Sequence, residues 1–581
     1  MTKNIPLFLQ NFPMNGRGCP RFFTVVSHRA CLIKGILSAI LYIALYGGTI
    51  SLRPCLAAGD MESVSTAISE HLACYPLEMM SIENQKLSGT SKNFCLTTVY
   101  HQIGLHPFWV TSAGPSHKAL IILDFLKKAG TDGLDPKNYE TNQISALLTA
   151  TEPRQLAELD TLLTFNLIKY IEDVSQGRIK PYDAEPALFA KVYDIRFDPS
   201  TATEKALNAP DLAVYLASLP PAHQHYANLK KALMTYRAME KNGGWPSIAA
   251  GKAIRPGDND HRLPDVIRRL SVTGDLYPRA AETTHYSPML KNSIIKFQLR
   301  HGLGPDGVIG PNTLAAMNVP VSGRIKQIMI NMTRWRWQKH DLGKKYILVN
   351  IANFDLTAFE NGQEFFEMPV IVGKFQNQTP IFSDRITQIT LNPYWNIPPS
   401  IAQNEELPNL QKDPNYLEKQ HVRLFAGWSA DAREIDSKYV DWKNMSPAGM
   451  DQFKLRQDPG AWNALGQIKF DFPNQYDIYL HDTAAQNLFS RTQRDFSHGC
   501  IRVSDPIKLA AFVLSSQAGG WTPEKIMNSI KENKNTAIRL SQPLPIYITY
   551  QTAWVDKNGM ICFKDDIYGM DKELLKALFN G

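Results

Sequence analysis

A chain of 581 residues with 44% hydrophobic content can bury several cores, so more than one domain is the default expectation. Its 62 basic residues outnumber its 55 acidic ones, and a net charge of +7 invites a nucleic-acid reading. The charge distribution excludes that reading. Lys3, Arg17, Arg21, Arg29, Lys34 and Arg53 all precede the first acid, Asp60, and without them 56 basic residues face 55 acids.

The basic leader runs into an apolar stretch, Gly35 to Leu52, followed by Cys55-Leu56-Ala57-Ala58. Residues 1–58 therefore read as a signal peptide or a single membrane anchor, the chain's one expected link to the inner membrane. Either alternative puts Asp60 onward outside the cytoplasm. Arg53, on the far flank, departs mildly from the positive-inside pattern. Of seven cysteines, Cys74 and Cys95 could pair in an oxidising compartment. No C-x-x-C occurs, which argues against a structural zinc site.

Residues 60 to 95 are polar and loosely patterned, and read as an extended or short-helical entry. From Val99 to about Arg237 apolar residues recur at helical spacing, as in Leu156, Leu159, Leu163 and Leu167, giving a helical scaffold over 60–255. In 259–320 a helix from Pro288 to Arg300 carries Leu290, Ile294, Ile295, Phe297 and Leu299. Gly302 suits a left-handed cap, Asp306-Gly307 a turn, and Gly310-Pro311 opens a second helix. The run from Phe297 to Leu314 resembles the peptidoglycan-binding domain type 1, a small three-helix module. The plainer alternative is a helical spacer.

After Trp337 the period changes. Tyr346 to Ile351 reads as a strand, Asn361-Gly362 as a hairpin turn, and Ile386 to Asn396 continues as β. Residues 401–463 are polar and helix-like, an insertion of the kind that forms lids. Strand character returns at Ile468-Phe470 and Tyr476-Ile478-Leu480, helices follow Arg502, and a last β pair begins at Ile546. The fold class is α+β and multidomain. A mainly β catalytic domain over 345–568, with an inserted helical lid, follows the scaffold and the module.

The chemistry centres on Cys500 in Ser497-His498-Gly499-Cys500-Ile501-Arg502, with His481 upstream. An imidazole can take the thiol proton and leave an ion pair, and N–H groups near a glycine can hold an oxyanion. A lone cysteine is more often a small buried hydrophobe. Spacing alone leaves both His481 and His498 open as the base. His481, His498 and Cys500 could also bind zinc, and a wall-binding protein without activity is a further alternative.

His481 followed by Ser497-His498-Gly499-Cys500 resembles the L,D-transpeptidases (YkuD-type domain), and the whole resembles their large multidomain, YcbB-like kind. Gln378-Thr379-Pro380, Asn392 to Asn396 and Tyr547 to Trp554 fit that kind as well. The resemblance implies a cofactor-free and metal-free acyl transfer. Cys500 would attack a peptidoglycan tetrapeptide stem, release D-alanine and pass the acyl group to a stem amine as a 3→3 cross-link. It implies His481 as base and the Asp482 carbonyl as its orienting partner. Gly499 and Cys500 N–H groups become oxyanion donors, with Ser497 and His498 in support, and Arg502 a binder of stem carboxylates. Tyr479 and Trp395 would line the cleft. Carbapenems are implied as inhibitors acylating Cys500, and the periplasm as location.

Overall fold

A computed structural model describes residues 59–74, 96–181, 197–276 and 283–579. The leader and the Cys74–Cys95 pairing lie outside the described residues. Among those described, no helix is long and apolar enough to cross a membrane.

The expected loose entry contains a 16-residue helix, Gly59–Cys74. It buries Val64, Ala67, Ile68 and Leu72, spaced three and four apart, in one core with the 24-residue helix Pro153–Gln176. Polar residues between those positions hid the periodicity. Asp160 sits inside this core and accepts hydrogen bonds from Tyr100 Oη (2.6 Å) and the Phe108 and Trp109 N–H groups (2.9 and 2.6 Å). Burial pushes its carboxyl up to about 6 against those donors. The helix Gln224–Lys241 leaves this core and packs Leu229, Leu233 and Tyr236 against Ile325, Ile328 and Met332 of the helix Val321–Arg336.

The module around Pro288–Arg300 builds its own core and recruits Ile248 and Ile254 from the segment before it. Ser287 caps that helix through the Leu290 N–H, and Gly302 takes a left-handed φ of 70°. Leu299 does not join the core; it is 57% exposed. The module docks on a C-terminal hairpin, Ala553–Val555 paired with Ile561–Phe563. Arg300 is held by Asp275 at 2.6 Å and donates to the Ile561 carbonyl at 3.2 Å, and His301 stacks on Phe563.

The region after Trp337 is strand-built: β1 (Lys345–Asn350), β2 (Asp355–Glu360), β3 (Gln363–Gly373), β4 (Phe382–Leu391), β5 (Trp395–Asn396), β6 (Val422–Ala426), β7 (Glu434–Ile435), β8 (Phe453–Gln457), β9 (Ile468–Asp471), β10 (Leu480–His481), β11 (Asp495–Ser497), β12 (Ile501–Val503) and β13 (Thr536–Thr549). The main sheet runs β11-β3-β12-β10-β9-β4-β13-β1-β2, and β2 also pairs with β3. That last pairing closes the sheet into a barrel-like ring filled by Ile347, Val349, Leu356, Val370, Ile389, Phe470 and Ile548. Asn361 and Gly362 both have positive φ, 52° and 77°, as a two-residue turn between β2 and β3 demands.

Three expectations change here. β13 begins ten residues before Ile546, because a register shift between Arg539 and Leu544 accommodates Pro543. Tyr476 to Tyr479 is not strand. Asn474 pins it as a loop, accepting from the Tyr476 and Ile478 N–H groups (3.0 and 3.1 Å), and Asp477 takes a φ of 54°. The insertion is only partly helical. Residues 399–410 form one continuous helical run with a π-helical turn inside it, and the insertion also carries a four-stranded sheet, β5-β8-β6-β7. Leu407, Leu410, Leu424, Trp442 and Leu455 form its separate core. Its strands are only two to five residues long, too short for a period of two to show in the sequence.

Candidate active site

Cys500 lies where the chain crosses the end of a strand. β11 runs parallel to one side of β3, with Ser497 opposite Gly373, and β12 runs antiparallel on its other side. His498, Gly499 and Cys500 span the gap. Nothing larger than glycine fits at 373, because a Cβ there would collide with the Asn377 carbonyl oxygen. Gly499 is strained for any other residue at φ 117°. Thr379, fully buried, clamps the crossing. Its Oγ1 accepts from the Gly373 N–H (2.9 Å) and donates to the Gly499 carbonyl (2.7 Å). Tyr568 Oη donates to the Gly373 carbonyl at 2.5 Å from the other side.

Strand pairing then assembles the polar face. β10 lies parallel to β12 with His481 opposite Arg502, and antiparallel to β9 with His481 opposite Lys469. Register puts His481, Lys469 and Arg502 on one side of the sheet, and Cys500 joins them there, within reach of Lys469 and Arg502 and hydrogen-bonded by Tyr479. His481 is buried, and its Nδ1 lies 2.6 Å from the Asp482 carbonyl oxygen. That bond holds the proton on Nδ1 and leaves Nε2 a lone pair. The Asp482 carboxylate faces away, accepting from the Gln467 and Thr483 N–H groups (2.9 and 2.7 Å). The Cys500 thiol donates weakly to the Asp477 carbonyl at 3.7 Å.

Burial sets the charge state. It lowers His481 to about 3, and the Arg502 and Lys469 cations push the same way against the Asp482 carbonyl. Burial raises the Cys500 thiol, opposed by hydrogen bonds from the Tyr479 N–H and hydroxyl and by Lys469 and Arg502. Tyr479 is itself held protonated, chiefly by burial. The two groups therefore rest as neutral thiol and neutral imidazole rather than as the ion pair the sequence allowed. The surrounding cations favour negative charge on sulfur once a proton leaves.

The remaining expected residues divide. Gly499 N–H donates to Ser497 Oγ (3.1 Å), and Ser497 Oγ donates to the Cys500 carbonyl (2.6 Å). The Gly499 N–H is thus committed within the loop. His498 turns outward, its Nε2 2.5 Å from Glu405 Oε1 of the insertion. Arg502 Nε is buried without a hydrogen-bond partner, and among the described residues no carboxylate pairs with its guanidinium. Trp395, on β5, packs against the insertion's core. Among the described residues, no three His, Cys, Asp or Glu side chains are grouped to hold a metal ion.

Sequence reasoning missed Lys469, Thr379 and Glu405. Thr379 stood inside a quoted block, Gln378-Thr379-Pro380, without a role. Lys469 carries no local signal, since only the β9–β10 register puts it opposite His481. Its Nζ lies 4.2 Å above the Tyr479 ring and 2.6 Å from Asp471.

With this geometry in view, residues 344–534 match the family model described as the L,D-transpeptidase catalytic domain. The chain carries an L,D-transpeptidase domain. Residues 95–233 match a scaffold domain and residues 268–317 a "putative peptidoglycan binding domain". A Haemophilus influenzae protein named "Putative L,D-transpeptidase" is 32% identical over 234 residues, 40% of this chain and 46% of its own length. The match thus spans about half of that relative. Among solved structures, an L,D-transpeptidase from Stackebrandtia nassauensis is 13% identical, covering 52% of this chain and 97% of its own, with a TM-score of 0.21. L,D-transpeptidase 3 from Mycobacterium tuberculosis, in complex with a faropenem-derived adduct, is 11% identical over 36% of this chain and 60% of its own, with a TM-score of 0.17. Likeness at that level carries no argument about chemistry.

Proposed function

We propose that the protein is a peptidoglycan L,D-transpeptidase working in the cell envelope, with Cys500 as nucleophile and His481 as base. The observation that carries this reading is the pairing of β10 with β12. It brings His481, its proton fixed on Nδ1 by the Asp482 carbonyl, to the same face as Cys500.

Chemistry follows from the charge states. His481 Nε2 takes the thiol proton as sulfur attacks the carbonyl carbon of the stem's third residue. Tyr479, Lys469 and Arg502 favour the developing thiolate. The Cys500 N–H faces the oxyanion. The imidazolium, unfavourable in so buried a place, returns its proton to the departing D-alanine amine. The thioester then meets a stem amine, giving the 3→3 cross-link. Arg502, with no partner of its own, suits a stem carboxylate. The insertion, with its own core, suits a wall that limits water near the thioester. A β-lactam carbonyl meets the same thiol, so carbapenems are expected to acylate Cys500.

Incubation with a tetrapeptide muropeptide, read by intact mass and product analysis, tests the proposal. Release of D-alanine and a Cys500 acyl adduct are expected. Cys500→Ser abolishes both, His481→Ala nearly so, and His498→Ala retains measurable turnover. Retention on sacculi without an adduct would instead make this a wall-binding protein. A larger loss in His498→Ala than in His481→Ala would reassign the base.

A further inference from the structure

We infer that Glu405, a residue of the insertion, is the acceptor-side determinant of the site: it receives the ammonium group of the incoming amine. The inference rests on the transpeptidase reading and extends it to the second half-reaction.

The charges around the thiol are one-sided. Lys469 and Arg502 flank it, which suits carboxylates of the donor stem and opposes a cationic acceptor. The nearby carboxylates are mostly committed: Asp482 to two backbone N–H groups, and Asp471 to Lys469. Glu405 differs. Among the described residues the partner of its carboxylate is an imidazole, His498, two residues from Cys500. The pair is solvent-accessible, the side chains 49% and 34% exposed, so an arriving ammonium can replace the imidazole at little cost.

The backbone places Glu405 deliberately. It lies in a π-helical turn, Ala402–Glu406, a geometry common at functional sites. Gln403 ties that turn to Asp451 at 2.7 Å, and Glu406, one residue on, is buried beside Tyr416. Glu405 is left to reach across from the insertion to the cysteine loop. The insertion therefore supplies a charge as well as a wall.

The step balances without a further reactant. The acceptor arrives as an ammonium, displaces His498 and loses one proton to the Glu405 carboxylate, which passes it to solvent. The amine nitrogen attacks the thioester carbon, the C–N bond forms and the C–S bond breaks. The sulfur leaves with the second nitrogen proton by way of His481.

The test is the partition of the acyl-enzyme between amine and water, a ratio independent of how fast the acyl-enzyme forms. Full-length wild type, Glu405→Gln and Asp477→Asn are loaded with the tetrapeptide. Each is offered the stem amine, or hydroxylamine, which is uncharged near neutral pH. Glu405→Gln is expected to lower transfer to the stem amine about tenfold or more, the worth of one charge-assisted hydrogen bond, and to leave transfer to hydroxylamine unchanged. Equal losses for both acceptors would mean a loosened wall and overturn the inference. So would an unchanged ratio, or a charge-dependent loss in Asp477→Asn alone. Absence of any acyl adduct in wild type would strike the transpeptidase reading itself.

Discussion

Replacing Thr379 by valine isolates what holds the cysteine loop in place. The two side chains are nearly equal in volume, and Thr379 is fully buried, so packing barely changes. What goes is the hydroxyl, with its 2.9 Å bond from the Gly373 N–H and its 2.7 Å bond to the Gly499 carbonyl. Both backbone groups are buried and would be left unpaired, each at a cost of about 1–3 kcal/mol. Together they predict a loss of about 2–6 kcal/mol, seen as a lower denaturation midpoint. The catalytic consequence follows from the peptide plane. The Gly499 carbonyl and the Cys500 N–H belong to the same peptide unit, so the bond to Thr379 also aims the proposed oxyanion donor. Outright loss of such a donor costs about 100-fold to 1,000-fold. A loosened one should cost roughly tenfold to a hundredfold in the rate of Cys500 acylation. The assay is a time course of carbapenem or tetrapeptide adduct by intact mass, beside a denaturant titration of the same samples. Thr379→Ser keeps the hydroxyl and should restore most of the rate. A valine variant with an unaltered midpoint and wild-type acylation would refute the clamp.

The charge assignments make two more predictions. Cys500 alkylation by iodoacetamide should be slow at neutral pH and still rising past the ordinary thiol value of 9.0; Lys469→Met, which removes a cation favouring the thiolate, should move the profile further alkaline. A plateau near pH 7 in the wild type would show a resting thiolate and sink the neutral-pair description. His481 is neutral when folded, at about 3 against an ordinary 6.5. As pH falls below 6.5 the unfolded chain takes up a proton that the folded chain refuses until about 3, so stability drops across that window by up to about 1.4 kcal/mol per pH unit. The His481→Gln variant should therefore lose less stability than its parent between pH 6 and 4; equal slopes would contradict the burial argument.

The sequence by itself determined the residue types and their local settings. The motif around Cys500 was legible as a set of residue types, whereas the choice of His481 over His498 rested on the family resemblance, because spacing leaves both open. The helices of the scaffold and module were legible from period, and the turn at Asn361-Gly362 from its need for positive φ. Tertiary structure decided what faces what. Only strand register sets His481 opposite Arg502 and Lys469, and no local signal marks a pairing between residues this far apart. Burial, a property of the whole core, converted the allowed ion pair into neutral partners. Trp395, which reads equally well as cleft or core from its neighbours in sequence, went to the insertion because β5 pairs with β8. Glu405, unremarkable in a polar stretch, became part of the site because the insertion folds back over the cysteine loop and brings it to His498.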